Sequence, residues 1–508
     1  MEQVLLILVF ILLICLCLFF WLKLGNIRLK FRRQGIIGPL PSLLTGNIPE
    51  IKQIMSMVPN SDPANKDPKD ISPFYCSLNL FPYFKQWTKQ YGGTFMFTLG
   101  RQHFLYVTDL KLVKDISIFK SWDLGKPAYL QKDRGPLLGK GLISTNGAVW
   151  SHQRKTIGPQ LYPVKVKDKV DIIVESARTL IKSWDNVVKA EDGVAELIVD
   201  EYVRNFTSEI ISKMMFGNNF FEGMKLFPKL KTLIDVMSTP TLLSGVPFSR
   251  FLPTKKNKVV WGLEKEIYAI IMDIVKKHKA TTSENMLQTL MEGSMNGELG
   301  PSTADQFIVD NCKDVCIAAF EVNAVVAIWG LMLLASHPEW QARVRSEVQE
   351  VCGDKPPDAN MLGKMKVLRM VIQEILRLYP GVAFVSRQAL QDLKLGDTCV
   401  PKGVNIWIWM LALHRDPELW GPGADNFNPE RFANGVSGAC KSPQAYIPFG
   451  VGARVCPGQN LAITELKVLF AMVVSKFSLE ISPNYRHSPR YGLLVEPEHG
   501  VNLLVKKI

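Results

Sequence analysis

The strongest constraint on this chain is a glycine-rich segment near its C-terminus, residues 449–458, which reads Phe-Gly-Val-Gly-Ala-Arg-Val-Cys-Pro-Gly. It places one cysteine, Cys456, in a bend directly before an apolar helical pattern that begins at Gln459. Glycines leave backbone N–H groups accessible, and these groups can hydrogen-bond a sulfur atom and moderate its charge. Arg454 adds a cation that suits a carboxylate. The combination predicts a thiolate presented to haem iron, because a structural cysteine needs none of these features.

The spacing Phe-x-x-Gly-x-Arg-x-Cys-x-Gly resembles the haem-binding signature of the cytochrome P-450 superfamily. The matching positions are Phe449, Gly452, Arg454, Cys456 and Gly458. The resemblance implies haem b as cofactor, with Cys456 as the ligand of its iron. It also implies a small apolar substrate and electrons that come from NADPH through NADPH-cytochrome P-450 reductase.

A second match is the charged cluster that the family builds behind the haem. Glu374 and Arg377 lie three residues apart in a helical pattern and so share a face of the helix. Arg431, in Phe-Asn-Pro-Glu-Arg-Phe, matches the arginine that completes the cluster. Such a pair alone is more typical of a solvated helix surface. Its position upstream of the cysteine segment favours the structural cluster.

Further matches concern the haem propionates. Trp150 and Arg154, four residues apart, resemble the family's Trp-x-x-x-Arg pair, in which the indole N–H and the guanidinium both meet propionates. Arg387 and His414 resemble additional propionate donors. The resemblance therefore predicts cofactor contacts from the middle of the chain as well as from the cysteine segment.

The chain departs from the family in the predicted helix over residues 304–336. Members usually carry Ala/Gly-Gly-x-Asp/Glu-Thr-Thr there, in which the acid and the first threonine relay protons to bound dioxygen. This chain has Ala-Ala-Phe-Glu-Val-Asn, so Glu321 matches the acid, Val322 replaces the relay threonine and Asn323 replaces its neighbour. Valine has no hydroxyl and cannot donate a hydrogen bond. These three residues are the predicted catalytic residues. The sequence leaves open which group delivers protons in place of the threonine hydroxyl.

Three hypotheses follow. The first is a monooxygenase in which Glu321, Asn323, a water or a substrate hydroxyl replaces the missing donor. The second is an isomerase, cyclase or dehydratase that acts on an already oxygenated substrate and needs no dioxygen. The third is a weakly catalytic haem-binding scaffold for other membrane enzymes, against which the complete haem signature argues. We favour the first, and dependence on dioxygen and reductase separates it from the second.

Segments at 34–39, 46–52 and 334–341 resemble a plant microsomal clan that includes gibberellin and triterpenoid oxidases and brassinosteroid-inactivating enzymes. The gibberellin-oxidase-like branch is the most similar, which implies an apolar, terpenoid-like plant metabolite as substrate. Regional order relative to the family predicts the residues that line the substrate cavity. They are Trp122, Tyr129, Ala319, Phe320, Val382, Ala383, Phe384, Val385, Leu493 and Leu494.

An uninterrupted apolar run at residues 4–21 is long enough to cross a bilayer, and several Lys and Arg residues follow it. Positive charge at this flank places it on the cytosolic side. A cleaved signal peptide would have a basic start, whereas Glu2 is acidic, and no Ala-x-Ala site follows. We therefore expect a retained single-pass anchor in the endoplasmic reticulum membrane (1–22), a basic, proline-containing linker (23–42) and a cytosolic haem-thiolate domain (43–508).

Composition agrees with one large catalytic domain. The chain has 508 residues, of which 47% are hydrophobic, and no internal repeat. Its net charge of +13 is dispersed and accompanies no nucleic-acid motif, so membrane lipid and an acidic redox partner explain it better than nucleic acid does. Nine cysteines without a spaced framework indicate a reducing compartment.

Periodicity predicts the fold class directly. Helical patterns cover residues 166–188, 259–279, 304–336 and 459–477. Strand patterns are fewer and shorter, at 95–99, 103–107 and 404–409, and an exposed loop is predicted at 60–72. The expected architecture is mainly α-helical with a small β region, as in the cytochrome P-450 fold, preceded by an N-terminal transmembrane helix.

Overall fold

The computed structural model describes residues 25–43, 45–57, 80–238, 249–278 and 285–508. The predicted anchor at 1–22 and the predicted loop at 60–72 lie outside these residues. Within the predicted linker, Phe31 is fully buried in the body of the protein, and the Arg28 side chain donates a 2.8 Å hydrogen bond to the carbonyl of Pro39. This part of the linker therefore packs on the catalytic body.

Helices make up most of the described structure, which confirms the predicted class. The α-helices are Ile48–Met57, Pro82–Tyr91, Leu110–Ile118, Tyr129–Lys132, Gly135–Leu138, Gly147–Ile157, Pro163–Lys167, Val170–Ala190, Val199–Phe216, Phe220–Met224, Leu226–Ser238, Lys255–His278, Met286–Met295, Ala304–Ile317, Asn323–Ser336, Pro338–Cys352, Ala359–Lys364, Lys366–Leu378, Met410–Leu413, Pro417–Trp420, Gly435–Ala439 and Gln459–Val474. Short 3-10 turns occur at Gly158–Leu161, Gly217–Asn219, Ser249–Phe251, Pro429–Phe432, Pro443–Ala445 and Gly452–Arg454.

The strands form small sheets beside the helices. They are β1 Thr94–Leu99, β2 Gln102–Val107, β3 Leu124–Gly125, β4 Val194–Ile198, β5 Phe384–Ala389, β6 Leu393–Leu395, β7 Thr398–Val400, β8 Asn405–Trp409, β9 Phe477–Ile481, β10 Pro489–Tyr491, β11 Val495–Pro497 and β12 Asn502–Lys507. The largest sheet has the order β1-β2-β8-β5-β3, in which only the β2–β8 pair is parallel. A second sheet has the order β4-β12-β9.

Aromatic packing holds the large sheet against the helix before it. Phe95 of β1 is opposite Tyr106 of β2, and their rings stack with centroids 4.4 Å apart. Trp87, from the helix Pro82–Tyr91, packs edge-on against Phe95 at 6.1 Å. Such pairs contribute about 0.5–1.5 kcal/mol beyond their buried area. The alternating aromatic residues of β1 and β2 therefore determine which sheet face is covered.

The distal helix, Ala304–Ser336, crosses the centre of the fold. Within the part of the chain that the structure describes, it is the one helix long and apolar enough to span a membrane, yet 83% of its apolar window is buried in the protein. A π-helical turn, Ala318–Val322, interrupts its α-helical geometry. The helix predicted over residues 304–336 is therefore a core helix of the protein.

Element boundaries differ from the sequence prediction at two places. The pattern over 166–188 is divided into two helices, Pro163–Lys167 and Val170–Ala190. The pattern over 459–477 stops at Val474, because Phe477 starts strand β9, which pairs with the C-terminal strand β12. Pairing between distant segments ended the helix where local periodicity alone would have continued it.

Gly330 tests the packing of the distal helix. A Cβ added there would lie 2.3 Å from Phe470 Cζ and 3.0 Å from Ile375 Cδ1, and both of these side chains are fully buried. We predict that Gly330→Ala lowers the free energy of unfolding by about 1–3 kcal/mol through overpacking. Loss of the thiolate-haem absorption band on heating would measure this change.

Gly262→Ala is the matched control, since Gly262 is also helical but has no atom within 4 Å of an added Cβ. It should raise stability by up to about 1 kcal/mol through helix propensity. Equal effects of the two substitutions would contradict the packing argument.

Candidate active site

The cysteine segment folds through two glycines in the left-handed region, Gly450 (φ +78°) and Gly452 (φ +72°). A Cβ on Gly452 would lie 3.0 Å from the carbonyl oxygen of Ser117, so close approach also requires glycine there. The backbone N–H of Cys456 donates a 2.9 Å hydrogen bond to the carbonyl of Phe449. These constraints close the segment into a loop, with Cys456 at its end.

The Cys456 thiol is accessible although it lies inside the protein. Burial raises its pKa, while backbone N–H groups of Gly458 and Gln459 hydrogen-bond the sulfur and oppose that shift, as do the charges of Arg154 and Lys126. Each of these groups stabilises the thiolate form. The loop therefore provides the donors that a metal-bound thiolate requires.

Four cations surround the space beside Cys456. Arg154 donates to the carbonyl of Val455 (2.9 Å), and Arg387 donates to the carbonyl of Val451 (3.1 Å). Arg454 donates to the carbonyl of Thr145 (3.0 Å) and lies over the Trp150 ring, with Cζ 4.2 Å from the centroid. The fourth cation is Lys126, whose charge acts on Cys456, Arg387 and Arg454.

No carboxylate of the residues that the structure describes forms an ion pair with these four cations, although the charge of buried Asp314 acts on Lys126. Burial lowers the pKa of Arg387 and of Arg454 to about 10 and that of Lys126 to about 7. Unpaired charges are costly inside a protein, and carboxylates that enter the site would offset this cost. The cluster therefore fits a prosthetic group that carries two propionates, next to an accessible cysteine.

Sequence reasoning missed Lys126. It follows strand β3, and two hydrogen bonds join its backbone to the Asn146 side chain. The Lys126 N–H donates to Asn146 Oδ1 at 2.6 Å, and Asn146 Nδ2 donates to the Lys126 carbonyl at 3.0 Å. The same Asn146 oxygen accepts from Arg454 at 2.8 Å. A Cβ on Gly125 would lie 2.5 Å from this oxygen. No local signal distinguishes Lys126, because its place depends on residues of the next helix and of the cysteine loop.

Two expected site residues lie elsewhere. His414 is fully buried and does not contact the cation cluster: Ile447 N–H donates to its Nε2 (3.0 Å) and its Nδ1 bonds the carbonyl of Arg377 (3.1 Å). Both nitrogens are used, so the expectation of a propionate donor was wrong. Trp122 was expected in the substrate cavity but lines the cavity that Trp150, Arg387 and Arg454 also line.

Glu374, Arg377 and Arg431 lie together in a buried charged cluster. Arg377 donates to both carboxylate oxygens of Glu374, at 2.7 and 2.9 Å, and neither side chain is exposed. Arg431 Nε lies 3.3 Å from Glu374, whose oxygen also accepts from the backbone N–H of Asn428 at 2.8 Å. Other N–H groups of the Arg377 and Arg431 side chains donate to backbone carbonyls in the segment before the cysteine loop. These carbonyls belong to His414, Trp420, Gly423, Ala424 and Asn426.

The distal helix turns a row of small and apolar residues toward accessible space. Ala318 is exposed, and Val315, Ala319 and Val322 are partly exposed, in a helix that is otherwise nearly all buried. These positions recur at helical spacing and so share one face. The widened π turn leaves the carbonyl of Phe320 to accept from the Thr207 hydroxyl at 2.9 Å. No hydroxyl belongs to the exposed row.

The scan against family models matches residues 73–505 to the model described as cytochrome P450. This chain belongs to the cytochrome P450 family. It is 46% identical over 492 residues to cytochrome P450 714C2 of rice, covering 96% of this chain and 94% of that one. Identity to cytochrome P450 714B3 of maize is 42% (96% and 92% covered), and to cytochrome P450 714A2 of Arabidopsis thaliana 39% (94% and 93%).

A solved structure supports the fold. Retinoic-acid-bound cyanobacterial CYP120A1 superposes with a TM-score of 0.73 at 21% identity, covering 86% of this chain and 96% of that chain. The P450 fold predicted from the sequence is thus confirmed. The protein is a P450 monooxygenase that uses haem b and receives electrons from NAD(P)H through a reductase.

In this P450, Glu321 points away from the exposed row. Its carboxylate is buried and accepts from Arg204 Nε at 3.1 and 3.3 Å and from Lys231 Nζ at 3.0 Å. Both cations also lie 3.5 Å from Glu496. Glu321 is therefore the inner member of an ion-pair network, which includes Asp200, Asp235 and Arg490.

Asn323 also faces away from the accessible space. Its side-chain amide donates a 2.5 Å hydrogen bond to Glu465 of the helix Gln459–Val474, and both residues are buried. Burial raises the pKa of Glu465 to about 8. The pair links the distal helix to the helix that follows Cys456.

The predicted cavity walls divide into two groups. Phe320 was expected there, but it is 2% exposed and packs against Phe227, with ring centroids 5.2 Å apart, because the π turn directs it into the core. Ala383, Val385 and Leu494 are buried as well. The partly exposed members are Tyr129, Ala319, Val322, Val382, Phe384 and Leu493.

The thiolate assignment has a spectroscopic test. We predict that Cys456→Ser abolishes the reduced carbon monoxide band that is typical of thiolate-ligated haem, since serine replaces the sulfur donor. Cys440→Ser, a change of a cysteine outside the cysteine loop, should retain the full band. A Cys456→Ser protein that keeps the thiolate band would disprove the assignment.

Proposed function

We propose that this P450 is a membrane-anchored monooxygenase that oxidises an apolar, terpenoid-like plant metabolite and that its distal helix is atypical. The observation that carries the proposal is the arrangement around Cys456. Cations without an ion-pair partner among the described residues lie beside the cysteine, and the distal helix presents an apolar face of Val315, Ala318, Ala319 and Val322 for a hydrophobic substrate.

We assign the residues as follows. Cys456 would bind the iron, and Trp150, Arg154, Arg387, Arg454 and Lys126 would hold the propionates. Phe449 and Gly458 shape the cysteine loop, while Glu374, Arg377 and Arg431 hold the segment that precedes it. The substrate walls are Tyr129, Ala319, Val322, Val382, Phe384 and Leu493. Haem, when bound here, supplies dioxygen activation and oxygen transfer.

Proton delivery is the step in which this chain differs. Val322 has no donor, and its Cγ1 reaches Gly381, where an added Cβ would lie only 2.4 Å away. Glu321, which precedes Val322 in the sequence, is the acidic residue of the helix nearest to that valine. Lys231 and Arg204 form ion pairs with its carboxylate. We propose that protons enter from the surface at Asp235, which is about half exposed, and reach Glu321 through Lys231. A water or a substrate hydroxyl then completes the path beside Val322.

The second candidate is a rearrangement, dehydration or cyclisation of an oxygenated substrate. The row of distal residues without a hydroxyl favours it, because such a reaction needs no proton relay to dioxygen. The scaffold hypothesis is weaker, since an accessible cysteine beside a cluster of cations supports a haem site suited to catalysis.

We predict that Val322→Thr raises the product formed per NADPH consumed by about two- to tenfold and lowers peroxide release. A positioned general acid contributes about 10²–10⁴-fold, of which water already supplies part. Threonine keeps the branched Cβ of valine, so the shape of the side chain changes little, and Glu321 or water can satisfy the added hydroxyl. Substrate turnover, NADPH consumption and peroxide are measured together in the reconstituted system.

Val326→Thr is the matched control, because it introduces the same hydroxyl one turn further along at a position that is 3% exposed. It should not improve coupling. An anaerobic assay decides between the two candidates: full product without dioxygen or reductase would defeat the monooxygenase proposal.

The proposed topology is also testable. If residues 1–22 are a retained anchor, protease added outside sealed microsomes should digest the catalytic body, and detergent should change little. Removal of residues 1–22 should shift much of the protein toward the soluble fraction. Complete protection of the body in sealed microsomes would contradict cytosolic topology.

A further inference from the structure

Three tryptophans form a row across the large sheet and the helix that precedes it. Trp407 and Trp409 are alternate residues of strand β8, so their indoles share a face, with ring centroids 6.4 Å apart. Phe384, on the paired strand β5, stacks on both indoles at 4.2 and 5.3 Å. Phe84 joins Trp409 to Trp87, with centroid distances of 4.4 and 5.9 Å. One phenylalanine therefore bridges each gap in the row.

One end of this row belongs to a strand that reaches the haem site. Trp407 and Phe384 are partly exposed, whereas Trp409 and Trp87 are buried. Strand β5 carries both Phe384 and Arg387, which lie three residues apart, or about 10 Å along an extended chain. Arg387 is a member of the cation cluster and donates to a carbonyl of the cysteine loop at 3.1 Å. Trp407 is therefore the tryptophan at the accessible end of the row, next to the strand that contacts the cysteine loop.

The two ends of the row differ in what the indole nitrogen contacts. Trp407 Nε1 donates to the Tyr129 hydroxyl at 3.1 Å, and a neutral phenol is not a base. Trp87 Nε1 donates to Glu50 Oε1 at 3.0 Å, and Glu50 is partly exposed. An indole that has lost an electron is a much stronger acid than a neutral indole, so its proton moves readily to a carboxylate. An electron vacancy is therefore stabilised at Trp87, the end away from the cysteine loop.

Packing alone does not account for indoles at these positions. Phe384 and Phe84 occupy neighbouring places in the same row, so a phenyl ring also fits this aromatic layer. Indoles differ from phenyl rings in losing an electron far more easily. Tyr83, a second oxidisable ring, is partly exposed and packs against Trp87 with centroids 5.5 Å apart. The far end of the row is therefore in contact with a side chain that reaches solvent.

We propose that Trp407, Trp409 and Trp87 conduct electrons to haem that hydrogen peroxide has oxidised, and that this gives the protein a peroxide-reducing activity besides monooxygenation. In each step Trp407 gives one electron to the oxidised haem, Trp409 and Trp87 replace it in turn, and the Trp87 Nε1 proton passes to Glu50. A soluble reductant such as ascorbate then returns an electron to the Trp87 radical, and Glu50 returns the proton. Two such steps, with the two protons that ascorbate releases, convert one peroxide into two waters.

The test mixes the haem-loaded full-length protein with hydrogen peroxide, without substrate or reductase, and freezes the mixture. Electron paramagnetic resonance should show a tryptophan radical, identified by the change in its hyperfine structure when the protein carries ring-deuterated tryptophan. Peptide mapping should find Trp87 as the main oxidised tryptophan. Saturating the haem with imidazole should abolish both signals, because peroxide then no longer reaches the iron.

Trp87→Phe should lose most of the tryptophan radical and most of the peroxide-dependent oxidation of ascorbate. Trp407→Phe and Trp409→Phe should each protect Trp87 from oxidation, because they interrupt the row. Glu50→Gln keeps an oxygen that accepts from the indole but removes the base, so it should also lose the radical, and Glu50→Asp should restore part of it. Trp261→Phe is the matched control: this indole is 39% exposed on another helix, and its loss should change neither signal.

Variants are compared at equal intensity of the thiolate carbon monoxide band, so that loss of haem is not mistaken for loss of the radical. Three outcomes would overturn the inference. The first is a wild-type protein without a tryptophan radical, and the second is a Glu50→Gln variant that behaves like the wild type. The third is oxidation of Trp87 that persists in the imidazole complex, which would indicate direct attack by peroxide. Since neither substrate nor reductase is present, none of these outcomes depends on the proposed substrate.

Discussion

The buried ion pair between Glu374 and Arg377 is the interaction on which the site depends. Both side chains are inaccessible, and every additional donor of Arg377 reaches a carbonyl in the segment that leads to the cysteine loop. Removing one partner would leave an uncompensated buried charge, which typically costs about 3–5 kcal/mol. The pair therefore joins the helix Lys366–Leu378 to irregular backbone that has no regular ladder of its own. Cys456 can be placed accurately only when that backbone is held.

The cation cluster differs from this ion pair because its four charges have the same sign. Arg154, Arg387, Arg454 and Lys126 are brought together without an ion pair to any carboxylate of the described residues, and burial lowers the pKa of each. Their mutual repulsion and desolvation oppose folding until carboxylates arrive. Folding and cofactor binding are therefore linked, because a group that binds only the folded state stabilises it. The backbone carbonyls and Asn146 orient the cations beforehand, so little rearrangement is needed on binding.

Consecutive residues of the distal helix lie in three different environments. Its π turn places Val322 beside the cavity, while Glu321, next to it in sequence, joins Arg204 and Lys231 in a buried ion-pair network. On the opposite side, Asn323 bonds Glu465 and so connects this helix with the one after Cys456. Three consecutive residues thus serve a cavity, an ion-pair network and a helix contact. A helix of about 3.6 residues per turn separates such neighbours by about 100°.

The sequence by itself determined the family, the mainly helical class, the position of the cysteine loop, the Glu374–Arg377 spacing and the strands β1, β2 and β8, because each is a local pattern of residue types. It could not reveal that β12 lies between β4 and β9, that Lys126 joins the cation cluster, that both nitrogens of His414 are occupied, or that Phe320 and Glu321 turn away from the cavity. These features arise from contacts between segments far apart in the chain, such as Arg154 with Val455, 301 residues away. Local propensity carries no information about such partners; only the tertiary structure brings them together, and burial then decides which charges pair and which remain available to a ligand.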